Sequence, residues 1–252
     1  MTTPLIAVAH GSRDPRSARV VAAAVSALRA RRPDLDVRLC FLDLNAPTVD
    51  QALDAVVAEG HSSAVVVPML LSSAFHARTD LPAVLDVVRL RHPHLQIQQA
   101  DVLGQDPRLI DAVRERIAET YGGAENPGLG VILAAVGTSD PAANDRIRLL
   151  AESVVAGTPW SGGISCFATS TEPSVRQAIS TVRGAGADRI VIAPWFLAPG
   201  LLTDRLSHIA EKCGPGITYA ATIGSHPLLI DVMLDLYSLA LAALTTHHEL
   251  SA

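Results

Sequence analysis

Three residues of this chain pair reactive side chains with positions that favour convergence: His10, Asp43 and His76. His10 closes the apolar run Leu5–Ala9, Asp43 follows the run Val37–Leu42, and His76 follows a third run, Ala64–Leu71. If the three runs are parallel strands, their carboxyl ends share one sheet edge, which is where open α/β folds bind ligands. Two imidazoles and a carboxylate suit a divalent first-row metal such as iron, cobalt, nickel or zinc. A neutral imidazole also takes up protons near neutral pH, so the same set serves metal binding and proton transfer.

The elements that would position these residues follow from the punctuation between the runs. Asp14-Pro15 opens a helix over Pro15–Arg31, with Asp as cap and Pro where an N–H has no intrahelical partner. Further helices are expected over Pro47–Glu59, near Leu81–Arg91 and over Pro107–Thr120, with a fourth strand at Leu95–Asp101. Strands alternating with helices of this length give right-handed parallel βαβ units. Pro68 cannot donate to a sheet ladder, so a bulge or an early end to pairing is expected there.

The chain is also a repeat. Shifted by 126 residues, it aligns with itself without a gap from Ile6/Ile132 to Leu71/Leu197, matching Gly11/Gly137, Asp14/Asp140, Cys40/Cys166, Pro47/Pro173 and Pro68/Pro194. Gly104-x-x-Pro107 echoes Gly224-x-x-Pro227 at a slightly different offset. The fold class is therefore α/β, with two tandem domains, 1–123 and 128–252. Each is a four-stranded parallel sheet flanked by helices, and a turn-rich joint lies between them. At the same offset His10 becomes Val136, Asp43 becomes Thr169 and His76 becomes Leu202. The scaffold glycines and prolines persist while the three polar residues vanish together, as expected if they act as one site that the second copy has lost.

Composition sets outer limits. The 252 residues are 49% hydrophobic and 4% aromatic, with a net charge of −5, a profile of a well-buried α/β protein without a nucleic-acid surface. No cleavable leader is visible, and no apolar run is expected to reach the roughly 20 residues needed to cross a bilayer. Cys40, Cys166 and Cys213 form no C-x-x-C, so a disulfide framework, zinc ribbon or cysteine-held cluster is not expected. A cytoplasmic protein is expected. Gly184–Asp188 precedes a strand, the wrong context for a nucleotide loop, and His92, His94, His247 and His248 read as terminal or tail residues.

The segments Val8-Ala9-His10-Gly11-Ser12-Arg13, Phe41-Leu42-Asp43-x-x-x-Pro47, and Val67-Pro68-Met69-Leu70-Leu71 with His76-x-x-x-Asp80-Leu81-Pro82 resemble the CbiX-type sirohydrochlorin chelatases, which are class II chelatases. The resemblance spans the whole chain, in the long form with two tandem halves. It implies insertion of Fe²⁺ or Co²⁺ into sirohydrochlorin, on the way to sirohaem or cobalamin, in a cleft between the halves. The metal is then a substrate, and no organic cofactor is required. His10 and His76 match the family's two histidines, and Asp43 stands where a Glu is common. On this reading His10 and His76 present the metal and accept the pyrrole protons, with Asp43 as third ligand or orienting group. Sirohydrochlorin carries eight carboxylates, so cations and donors must grip it; Ser12, Arg13, Ser73 and Arg78 are the nearest candidates, with Trp195 of the second half as an apolar bed. A monomer without nucleic-acid or membrane partners is expected. Two other readings keep the same residues: a metal or tetrapyrrole carrier without turnover, and a nickel chelatase of a related ring. A serine hydrolase built on Ser12 lacks a G-x-S-x-G elbow.

Overall fold

A computed structural model describes residues 2–71, 79–104, 106–123, 125–169 and 172–251, with side chains to residue 246. The first half runs β1 (Leu5–Ala9), α1 (Pro15–Arg31), β2 (Val37–Phe41), α2 (Val49–Ala58), β3 (Ser63–Pro68), α3 (Leu81–Arg91), β4 (Gln96–Gln99) and α4 (Pro107–Tyr121). The second repeats it as β5 (Leu129–Ala135), α5 (Pro141–Val155), β6 (Gly162–Phe167), α6 (Val175–Gly184), β7 (Arg189–Pro194), α7 (Leu201–Glu211), β8 (Ile217–Tyr219) and α8 (Pro227–Ser251). The two sheets are parallel and share one topology, β2-β1-β3-β4 and β6-β5-β7-β8. The expected α/β architecture of two repeated, helix-flanked parallel sheets is therefore the observed one.

Local chemistry sets the boundaries. Asp14 caps α1, its Oδ1 accepting from the Arg16 N–H at 2.9 Å, and Asp140 caps α5 in the same way. Pro68 is the last residue of β3, in register with Val8, and the next residue still bonds to β1, with the Met69 N–H donating to the Val8 carbonyl at 2.8 Å, so the proline does not end the pairing. Successive side chains point to opposite faces of each sheet and both faces are covered, so β1 and β5 are buried at every residue. Ile6, Val8, Cys40, Ala64 and Val66 pack with α2 and α3 on one face of the first sheet. Burial pushes the Cys40 and Cys166 thiols up to about 12, so both are inert core groups.

The packing units do not coincide with the sequence halves 1–123 and 128–252. One unit is Met1–Asp106 with Ser225–Ala252, and the other is Pro107–Gly224. The fourth helix of each half covers the other half's sheet. α8 packs on α1, β3 and β4, with the Tyr237 hydroxyl donating to the Thr3 carbonyl at 2.6 Å and Arg31 donating to Asp231 at 2.9 Å. α4 packs on α5 and β7, and Arg114 donates to the Ser153, Val154 and Ala156 carbonyls at the end of α5. The chain crosses between units twice, at Asp106/Pro107 and at Gly224/Ser225, within the two echoing Gly-x-x-Pro segments.

Residues Pro227–Thr246 of α8 correct the expectation of no bilayer-length stretch. By length and composition alone this segment, with a mean hydropathy of 1.8, is sufficient to cross a membrane. Asp231 and Asp235 interrupt it, and Leu229, Ile230, Met233, Tyr237 and Ala240 form a buried helical stripe of the first unit.

Candidate active site

At the carboxyl edge of the first unit, the described residues place the loops leaving β1 and β2 side by side. β1 is central, so its loop lies beside the one that follows β2. The contact is made backbone to backbone. Leu42 N–H donates to the Ala9 carbonyl at 2.9 Å, and Asp43 N–H donates to the His10 carbonyl at 3.0 Å. His10 is half-buried and Asp43 exposed, so the pair brings one sheltered imidazole and one solvated carboxylate to adjacent residues of the edge.

Gly11 makes that approach possible. Its φ is +96°, and a Cβ there would lie 1.8 Å from the Asp43 carbonyl oxygen. The second half keeps the same restriction at Gly137, φ +83°, where a Cβ would lie 2.8 Å from Thr169 Oγ1. Asn45 completes the junction: its Oδ1 accepts from the Ser12 N–H at 2.7 Å, while its own N–H donates to the Asp43 carbonyl at 2.8 Å. Sequence reasoning did not single out Asn45; the signal was an Asn in a turn-forming run, two residues past the candidate ligand.

Each remaining candidate has a definite place. Ser12 Oγ accepts from the Asp14 N–H at 3.1 Å, which holds it in the turn before α1. Arg13 is exposed and makes no ion pair with a described residue. Asp43 Oδ1 accepts from the Leu44 N–H at 2.7 Å, which steadies the carboxylate and leaves Oδ2 without a described partner. His76, Ser73 and Arg78 lie outside the described residues.

Trp195, the expected apolar bed for the ring, follows β7 and is 4% exposed. The exposed apolar side chains in that part of the second unit are Val136 and Leu201. The 126-residue offset fails after β7. Residues 69–80 join β3 to α3, whereas only 195–200 join β7 to α7, and Leu81 and Leu201 open α3 and α7 at a spacing of 120. Leu202 thus sits in a helix, and the connection from β7 to α7 is six residues shorter than that from β3 to α3.

Asp14, four residues from His10, is a charged anchor for this edge. The Arg16 guanidinium and backbone N–H hold its carboxyl down at about 2. A depressed carboxylate contributes stability that is fully present above the unfolded value near 3.9 and is lost as pH falls through the folded value. Asp14→Ala is therefore expected to lower Tm by about 2–4 °C at pH 6, with the gap to wild type closing between pH 4 and 2. Calorimetry across that range checks it; a gap that stays constant down to pH 2 would refute the role.

The family model CbiX matches residues 4–120 and 130–239, one match in each half. The chain belongs to the CbiX family. It is 26% identical over 238 residues to a sirohydrochlorin ferrochelatase of Bacillus subtilis, covering 93% of this chain and 90% of that protein. It is 28% identical over 211 residues to a sirohydrochlorin cobaltochelatase of Priestia megaterium, covering 81% and 67%. The solved structure of SirB from Bacillus subtilis with Fe³⁺ superposes with a TM-score of 0.83 at 26% identity, covering 95% and 96%.

Proposed function

We propose that this protein is a sirohydrochlorin chelatase that inserts Fe²⁺ or Co²⁺ into the ring, with one site, on the first unit. The carrying observation is the bonded junction of the His10 and Asp43 loops at the sheet edge, in a family whose relatives include proteins named for both metals. Insertion exchanges two pyrrole N–H protons for one divalent cation, so the site must hold the ion loosely and receive protons. His10 supplies an imidazole nitrogen just past the end of β1. Asp43 keeps Oδ2 for the ion or for orienting an imidazole, and His76 is the third member by sequence. Ser12 and Arg13, with Ser73 and Arg78 from the His76 loop, are the groups this reading assigns to the ring's carboxylates. The reading also includes a monomer acting in the cytoplasm, without nucleic-acid or membrane partners.

Anaerobic absorbance of sirohydrochlorin mixed with the protein and Fe²⁺ or Co²⁺ tests it. Spectral conversion over many turnovers, well above the spontaneous rate, is the expected result. Tight ring binding without acceleration would identify a carrier, and neither binding nor acceleration would refute the reading.

The Asn45 junction yields a further expectation. Asn45→Ala leaves the Ser12 N–H without its acceptor, a loss of about 1–3 kcal/mol, and is expected to lower kcat about tenfold with little change in KM. Asn45→Asp retains the acceptor and is expected to recover most of that rate. Equal losses in both variants would show that the hydrogen bond is not what positions the loop.

A further inference from the structure

The second unit carries a recess that the first-unit site does not explain. It has a volume of about 180 Å³ and opens at the carboxyl end of β6, between α6 and α7. Phe167, Thr169 and Ile209 line it, and Arg176 and Arg205 stand at its rim. Neither arginine forms an ion pair with a described residue, although nine other described arginines do. Arg176 has only Cys213 Sγ beside its Nη1, at 3.9 Å, and Glu172 in the preceding loop accepts instead from Gln177 Nε2 at 3.2 Å.

The repeat shows how far the charge here departs from its counterpart. Arg176 occupies the first turn of α6, where the first half has Asp50 in the first turn of α2, and Thr169 replaces Asp43. The helix dipole favours Asp50 at a helix start and disfavours a cation there. Two acidic positions have thus become one basic and one neutral, against the local preference of the helix. Burial and packing give no reason for the exchange, since Arg176 is exposed.

We propose that this recess binds a carboxylate, with Arg176 and Arg205 as its two cationic contacts. A volume of this size holds about six waters, enough for a four-carbon dicarboxylate or for one carboxyalkyl arm of a larger molecule. The guanidinium fork matches the planar, two-oxygen geometry of a carboxylate. The site stands on its own residues and does not depend on the chelatase reading.

Cys213 supplies the test. It is partly exposed beside Arg176, whereas the buried Cys40 and Cys166 thiols do not compete for an alkylating reagent. Iodoacetamide labelling of Cys213 in the full chain is measured with and without succinate, and with and without metal-free uroporphyrin, an octacarboxylate ring. Labelling is expected to slow at least threefold, and the protection to disappear in Arg176→Ala/Arg205→Ala. Protection by succinate alone identifies a free small carboxylate as ligand, and protection by the ring identifies a macrocycle arm. Slowing by neither probe, or equal slowing in the double variant, would overturn the proposal.

Discussion

Gly11→Ala is expected to abolish metal insertion and to lower stability by about 3 kcal/mol or more. Two costs add. A left-handed φ of +96° disfavours any Cβ by about 1 kcal/mol, and this Cβ would also stand 1.8 Å from the Asp43 carbonyl oxygen, a backbone atom that already accepts from the Asn45 N–H. Relief requires the His10 and Asp43 loops to separate, which breaks the pairing on which the site depends. Gly60→Ala is the control. Its φ is +86°, and a Cβ there meets nothing within 4 Å, so it should show the conformational cost alone, about 1 kcal/mol, with activity retained. Chemical denaturation and the absorbance assay on both variants read out the difference. Similar losses at the two glycines would mean that the close approach at Gly11 is unimportant.

His10→Ala is expected to cut the insertion rate by about 10²–10⁴-fold while leaving the melting curve nearly unchanged. The side chain lies past the last residue of β1, half-buried, so its removal costs little core packing. The KM for sirohydrochlorin should move little, because the ring's carboxylates are assigned to other residues. The reciprocal substitution sharpens the point. Val136→His restores an imidazole to the second unit, but Thr169 offers no carboxylate and the loop after β7 is six residues short, so it should add no activity. His10→Ala with wild-type turnover would remove the proposed centre.

The sequence was most legible where a single local rule governs. Asp14-Pro15 marks the start of α1, and the matched glycines and prolines of the repeat reveal two copies of one sheet. Legibility failed where the answer lay in tertiary choice. α4 and α8 each display an apolar stripe, and periodicity shows that a stripe is buried without showing which sheet buries it, so the exchange of these helices was hidden. Asn45 was overlooked because an Asn in a loop is common, and only its 2.7 Å contact with Ser12 shows what it holds. The proposed centre was found by comparing the copies, a test of His10 and Asp43 that no single motif supplies.

The exchanged helices also set an order of events during synthesis. The ribosome makes the first sheet early, yet α8, which covers its β3 and β4, is encoded in the final residues, with Tyr237 bonded to Thr3. The unit Pro107–Gly224 is contiguous and has all its parts as soon as residue 224 has left the exit tunnel. The half that emerges first is therefore completed last, and the nascent chain carries a partly uncovered β3–β4 surface until translation is nearly over. Chaperone demand should accordingly track the first sheet, and a stop codon ahead of α8 should leave that surface exposed while the second unit remains folded.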